Sequence, residues 1–275
     1  MFKCTNLYEV KFDMPYWITN KFGSKKAECA IDLADSIFKR ESTYFLDYQS
    51  YNEVRELLYL AHYLNPLMFD LRHVKYSEQD AILHLDYFED HRKQVYSRVH
   101  ELYDNLGIWT CKSELEVEKR VNDYLVEHCV WNDEGDYHRQ HTLLGILLDG
   151  RGVCISFAQT VTMLLRCFGV KCYTVKGVVS DTPYGRGNGL GHYLDKILDP
   201  INQSKDDKIA DGISYETHAW NVVFLDGCER HLDTTFNHSS EGQPWYSSIH
   251  KYFNLTTEEI CRERDIIIGP SVDKI

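Results

Sequence analysis

The chain has 275 residues, 43% of them hydrophobic and 26% charged, which is ordinary globular composition and enough length to bury a substantial core. Its 30 Lys and Arg against 42 Asp and Glu give a formal charge of −12, which repels phosphate backbones and anionic lipid and argues against nucleic acid or a membrane as partner. Nine cysteines are an odd number, no Cys-x-x-Cys occurs, and no Cys and His pairs stand at zinc spacing, so neither a disulfide framework nor a metal site is expected.

Lys3, Asn6, Glu9 and Lys11 interrupt any apolar run at the start of the chain, unlike a signal peptide. The longest apolar run, Leu143 to Leu148, is too short to span a bilayer. A cytoplasmic, reducing location is therefore expected, with most cysteines acting as small buried hydrophobes. Helical patterning covers residues 27–40, 52–64 and 89–106; in the last, Val95, Val99, Leu102 and Leu106 mark one face. Asn65-Pro66 closes the second helix, because the residue before proline avoids the α region. Ser113 to Glu116 forms a capping box opening a helix that buries Val117, Val121, Tyr124 and Leu125. The first 130 residues are thus expected to be mostly helical.

After Gly150 the pattern changes. Phe157, Val161, Leu164, Leu165 and Phe168 line one face of a helix that ends at Gly169, and its first turn carries Cys154. Val170 to Val179 predicts a strand. Ser180 to Thr217 is a long polar stretch, expected to be a lid or a partner-docking loop; its glycines, Tyr184 to Gly191, resemble a phosphate loop only superficially. His218 to Leu225 predicts a strand, Asp226-Gly227 a two-residue hairpin turn, and Cys228 to Asp233 the return strand. That turn opposes Leu225 to Cys228 and Trp220 to Asp233, so His218, Trp220 and Asp233 share one face, with Asp233 diagonal to His218 at about 7–8 Å between backbones. A slip of one residue would send Asp233 to the other face.

Cys154 at a helix start is favoured as thiolate by the positive end of the helix dipole, and the unpaired amides there can receive an oxyanion. A nucleophilic cysteine needs a base and the base an orienting group; His218 and Asp233 supply both from one sheet face.

Gly152-Val153-Cys154, His218-Ala219-Trp220-Asn221 and Asp233-Thr234-Thr235, in that order, closely resemble the three motif blocks of the transglutaminase-like superfamily, in particular its small bacterial members. The likeness extends upstream through His141 to Gly145 and downstream to Tyr252-Phe253-Asn254, over residues 55–265. It implies an α+β, papain-like fold, a helical N-terminal part packed on an antiparallel sheet, with residues 1–110 as a mainly helical region packed on a core of residues 111–275. It also implies Cys154 as nucleophile, His218 as general base and acid, and Asp233 as its orienter. Trp131 stands where relatives often carry an aromatic residue, and it and Trp220 are the candidate oxyanion or substrate contacts. Two departures stand out: Ser156 replaces the glycine or glutamate common two positions after the cysteine, and the segment before His218 is long.

The function expected from these residues and this resemblance is a cysteine-dependent amidohydrolase or acyltransferase working through a Cys154 thioester on a peptide, protein or small acyl or amide substrate, with water or an amine as acceptor. No cofactor is expected, and no calcium loop of EF-hand type occurs. The alternative is a catalytically inactive binding module of the same fold.

Overall fold

The structure is a computed structural model that describes residues 2–10, 13–47, 50–179, 217–238 and 249–270. Its described residues form two compact units, one within Met14–Asp90 and the other within Met1–Asp13, His91–Asp181 and His218–Ile275. The first unit carries α1 (Tyr16–Phe22), α2 (Ser24–Phe38), β1 (Thr43–Phe45), α3 (Tyr51–Leu64), β2 (Leu71–Ser77) and β3 (Ile82–Tyr87). Helix α2 buries Ala27, Ala30, Leu33, Ala34 and Ile37, a stripe at three- and four-residue spacing, and packs on α3. Asn65 ends α3 in an extended conformation, as its place before Pro66 requires, and its side chain accepts from the Leu67 amide at 2.9 Å.

The first 130 residues are mostly helical, as expected, but three strands not anticipated there form an antiparallel sheet in the order β1-β3-β2. A register shift between Leu71 and His73 spaces the buried residues Leu71, Val74 and Tyr76 by three and then two. That bulge breaks the strict alternation by which a strand announces itself.

In the second unit, α4 (Arg92–Asn105) buries Val95, Val99 and Leu102 and packs on α7 (Leu143–Asp149). Arg98 of α4 also donates to the Leu147 carbonyl at 3.3 Å, so α4 belongs to this unit. Helix α5 (Glu114–His128) is capped by Ser113, which accepts from the Glu116 amide, while Glu116 reaches back to the Lys112 amide, one residue further than a standard capping box. Two short parallel strands, β4 (Val130–Trp131) and β5 (Arg151–Gly152), flank α6 (Tyr137–Gln140) and α7. Helix α8 (Cys154–Cys167) is the central helix, buried along nearly its whole length, and ends with Val170 donating to the Leu165 carbonyl at 2.8 Å, a Schellman closure around Gly169.

Helix α8 packs on β6 (Cys172–Val179), part of a four-stranded sheet ordered β8-β7-β6-β9, with β7 (Thr217–Leu225), β8 (Cys228–Leu232) and β9 (Arg264–Ile268). The β6–β9 and β7–β8 pairs are antiparallel. Asn221 of β7 donates to the Ala158 carbonyl at 2.8 Å and to Thr162 Oγ1 at 2.9 Å, which ties the sheet to α8. Positive φ at Asp226 (51°) and Gly227 (78°) makes the β7–β8 turn, and Leu225 opposes Cys228 with the register running unbroken to Asn221 opposite Leu232. Continuing it by one step opposes Trp220 to Asp233. Residues 180–216, including the glycine-rich stretch and the expected lid or docking loop, lie outside the described residues.

Gly177 of β6 shapes this sheet most sharply. A Cβ there would lie 2.3 Å from the Asp265 carbonyl oxygen and 2.4 Å from the Trp220 ring, so the indole rests directly on bare backbone. Gly177→Val is therefore expected to destabilise the chain by about 2–3 kcal/mol through overpacking, read as a lower urea midpoint at unchanged slope.

Candidate active site

Cys154 is the first residue of α8, entered from extended Val153 (φ −94°, ψ 178°) and retaining partial exposure. The Ser156 and Phe157 amides of the first turn donate to the Val153 carbonyl at 2.9 and 3.2 Å, and the helix dipole adds about half a positive charge there. Ser156, one of the two departures from the family pattern, is fully buried; its hydroxyl donates to the Thr142 carbonyl and accepts from the Ile146 amide at 3.1 Å. It pins the start of α7 to the first turn of α8, so its role is to fix the helix that carries Cys154.

His218 sits near the start of β7, and Asp233 follows β8 as the N-cap of a single-turn helix, α9 (Thr234–Asn237). The two meet across the hairpin, His218 Nε2 lying 2.7 Å from Asp233 Oδ2. The His218 ring stacks on Trp220 (centroids 6.0 Å apart, planes 17°) and meets Phe236 edge-on at 4.8 Å. Its orientation is thus set by one carboxylate and two rings. With Nε2 committed to Asp233, Nδ1 is the ring nitrogen left to face the Cys154 thiol.

Asp233 is fully buried, and its carboxylate has three partners. Its backbone amide donates to the Tyr252 carbonyl at 2.9 Å, and its Oδ1 accepts from the Phe236 amide at 3.1 Å. Its Oδ2 takes both His218 and Nη1 of Arg264, the first residue of β9. Burial alone would raise the carboxyl, but the Arg264 and His218 charges overcome it and hold Asp233 near 2. Burial disfavours the His218 cation, yet the Asp233 charge and hydrogen bond, with the Cys154 contact, push it up to about 9. Burial likewise opposes a Cys154 thiolate, and the His218 hydrogen bond and charge, with the Ala219 amide, overcome it and lower the thiol below its ordinary value.

Of the two tryptophans expected near an oxyanion, Trp131 lies on β4 directly beside Gly152 of β5, two residues before Cys154. Trp220 is a correction. Its indole N–H is donated to His231 Nδ1 at 2.9 Å and the residue is 1% exposed, so it shelves the His218 ring and has no free donor for an oxyanion. Arg264 is the residue that sequence reading missed. Its one signal is an arginine two residues before the β-branched run Ile266-Ile267-Ile268. Among the described residues no group of three or more His, Cys, Asp or Glu is placed to hold a metal, and no helix is long and apolar enough to cross a membrane.

The family described as the transglutaminase-like superfamily matches residues 107–234, a span that contains Cys154, His218 and Asp233. This segment is similar to a transglutaminase-like core. No curated protein matches the chain. Among solved structures, it is similar to a proposed cysteine protease of Cytophaga hutchinsonii at 12% identity over 54% of this chain and 40% of that one, with a TM-score of 0.35. It is also similar to a structure described as a TGase, at 15% identity over 77% and 55% with a TM-score of 0.38. A proposed protease of Parabacteroides distasonis follows at 11% identity over 57% and 29%, with a TM-score of 0.30. The chain therefore spans between 29% and 55% of the length of these structures.

The core's electrostatics distinguish its thiols. A depressed thiol pKa keeps the reactive thiolate present at pH values where an ordinary thiol is protonated, and loses it only as pH falls through the lowered value. Cys154 is expected to react with iodoacetamide at lower pH than an ordinary thiol, whereas Cys172, pushed by burial up to about 12, and Cys167, also raised, stay unmodified until the protein unfolds. His218→Ala should carry the Cys154 profile toward an ordinary thiol near about pH 8.5, read by peptide mass spectrometry.

Proposed function

We propose that the chain is a cysteine amidohydrolase or acyltransferase in which Cys154 is the nucleophile, His218 the general base and acid, and Asp233 the group that orients His218. The observation that carries this reading is the buried His218–Asp233 pair at 2.7 Å and its electrostatic action on Cys154, with the thiol lowered and the imidazole raised. A thiolate and an imidazolium side by side are a nucleophile and an acid already charged for reaction.

The reaction follows from those charges. The Cys154 thiolate attacks an amide carbonyl carbon, forming the S–C bond as the carbonyl electron pair moves to oxygen. The oxyanion is received by amides at the start of α8. Its collapse expels the amine, which takes its proton from the His218 imidazolium and leaves a thioester and a neutral imidazole. Neutral His218 then removes a proton from water or from a second amine, whose attack on the thioester releases acid or new amide. His218 keeps that proton as Cys154 leaves as thiolate, and the starting thiolate–imidazolium pair is restored. Proton transfer of this kind contributes roughly 10²- to 10⁴-fold to rate. Asp233 stays ionised throughout and holds the ring in the tautomer that faces the thiol.

The substrate class is a peptide, a protein, or a smaller molecule with an amide or activated acyl group. Nine free cysteines suit a reducing compartment, so we place the reaction in the cytoplasm. Intact-protein mass spectrometry with activated acyl donors tests the whole scheme. The parent chain should gain the mass of one acyl group; added amines should discharge it as amide if transfer operates, and water alone if hydrolysis does. Cys154→Ala should gain nothing, while Cys167→Ala and Cys172→Ala should acylate like the parent. Acylation persisting in Cys154→Ala would refute the assignment.

A further inference from the structure

We propose that Arg264 is a positioning residue of this site: its buried guanidinium clamps the Asp233 oxygen that also receives His218, and balances the charge that a Cys154 thiolate brings into the cluster. The proposal rests on the Cys154–His218–Asp233 reading above and adds a fourth member to it.

Three observations carry it. Arg264 is 3% exposed, and its side chain is wholly shielded, as is that of Asp233. Its Nη1 bonds the same Oδ2 that His218 Nε2 approaches, so one oxygen is held from two sides. The guanidinium is enclosed by three rings, with its carbon 5.1 Å from the Trp220 ring, 4.7 Å from Phe236 and 4.6 Å from Tyr252. Its Nε and Nη2 have no hydrogen-bond partner among the described residues, so the ring faces are what offset their burial. Trp220 and Phe236 are also the two rings against His218. Arg264 therefore touches the orienting carboxylate and both walls of the imidazole slot.

The charge argument is independent of that geometry. Thiolate, imidazolium and carboxylate together carry one net negative charge in a buried cluster; the guanidinium brings the four to zero. Other ionisable groups near Arg264 do not replace it. His231 is neutral, since its Nδ1 accepts from Trp220 and burial and Arg264 hold it near 3. Lys251 and Glu263 face the Tyr252 hydroxyl and pair with each other through it. Without Arg264 the cluster relieves its excess negative charge by binding protons more tightly at both Cys154 and His218.

Alkylation of Cys154 by iodoacetamide, followed by intact mass across the pH range, reads this without any substrate. The parent profile rises twice, first as the thiolate–imidazolium pair forms and again as the imidazolium deprotonates. In Arg264→Met, a side chain that suits the aromatic enclosure, both rises should move to higher pH by about one unit, the low end of what a neighbouring charge does. Arg264→Lys should recover most of that shift by restoring the charge. Circular dichroism establishes folding, and where the Met variant is unfolded Arg264→Gln, neutral but able to donate to Asp233, carries the same comparison. Coincident profiles in parent and folded neutral variant, or a Lys variant shifted as far as the neutral one, would overturn the role of Arg264. A parent profile with a single rise at the pH of an ordinary thiol would defeat the Cys154–His218 pair itself.

Discussion

A carboxylate with no access to water is the constraint around which this core is arranged. Transferring an ion of that size into protein costs several kcal/mol after relaxation, and the cost is met only by cations and donors placed around it. Asp233 obtains a cation from β7, a cation from β9 and an amide from α9, while its own amide is held by the Tyr252 carbonyl. Elements distant in the chain are thereby brought to one point. Strand order alone does not achieve this, because β6 separates β7 from β9. Gly177 resolves the difficulty. It opposes Ile266 of β9 and presents no side chain, so the Trp220 ring of β7 lies across it and meets Arg264 beyond.

The same arrangement sorts two histidines of one hairpin into opposite states. His218 lies against a carboxylate and is pushed up to about 9, whereas His231, held down first by burial and then by a nearby guanidinium, stays near 3. Since the indole of Trp220 can only donate, His231 Nδ1 must accept, and its proton resides on Nε2, directed at Thr257 Oγ1 3.2 Å away. Trp220 thus links an imidazole suited to proton transfer to one that serves as a fixed acceptor. Divergent environments acting on like groups are how one protein scaffold separates roles among them.

Much of this was legible in the sequence because the decisive elements are local. The Asp226-Gly227 turn dictates the register that opposes Trp220 to Asp233, and the periodicity of Phe157 to Phe168 marks α8 with Cys154 at its start. What escaped is what depends on packing between distant segments. The sheet of residues 43–87 hides behind a bulge at its second strand. The Trp220 donor is spent on a histidine eleven residues away, a contact that motif reading does not expose. Arg264 lies 31 residues beyond Asp233, and nothing in the intervening chain signals that the two side chains are buried together. Ser156 departs from the family's usual residue without touching the chemistry, because its hydroxyl satisfies the start of α7.

The nine cysteines show why a thiol's chemistry cannot be read from its burial. Burial on its own stabilises the neutral thiol, and Cys129 and Cys172 are pushed up to about 12 in consequence. Cys154 feels the same penalty, as its largest single contribution, and still ends below an ordinary thiol. The difference is a cation whose own charge is maintained by a carboxylate. Activation at Cys154 is therefore a property of alternating charges, each stabilising the next. Neutralising any inner member of that series weakens the member beyond it, so the thiol depends on residues that it never contacts.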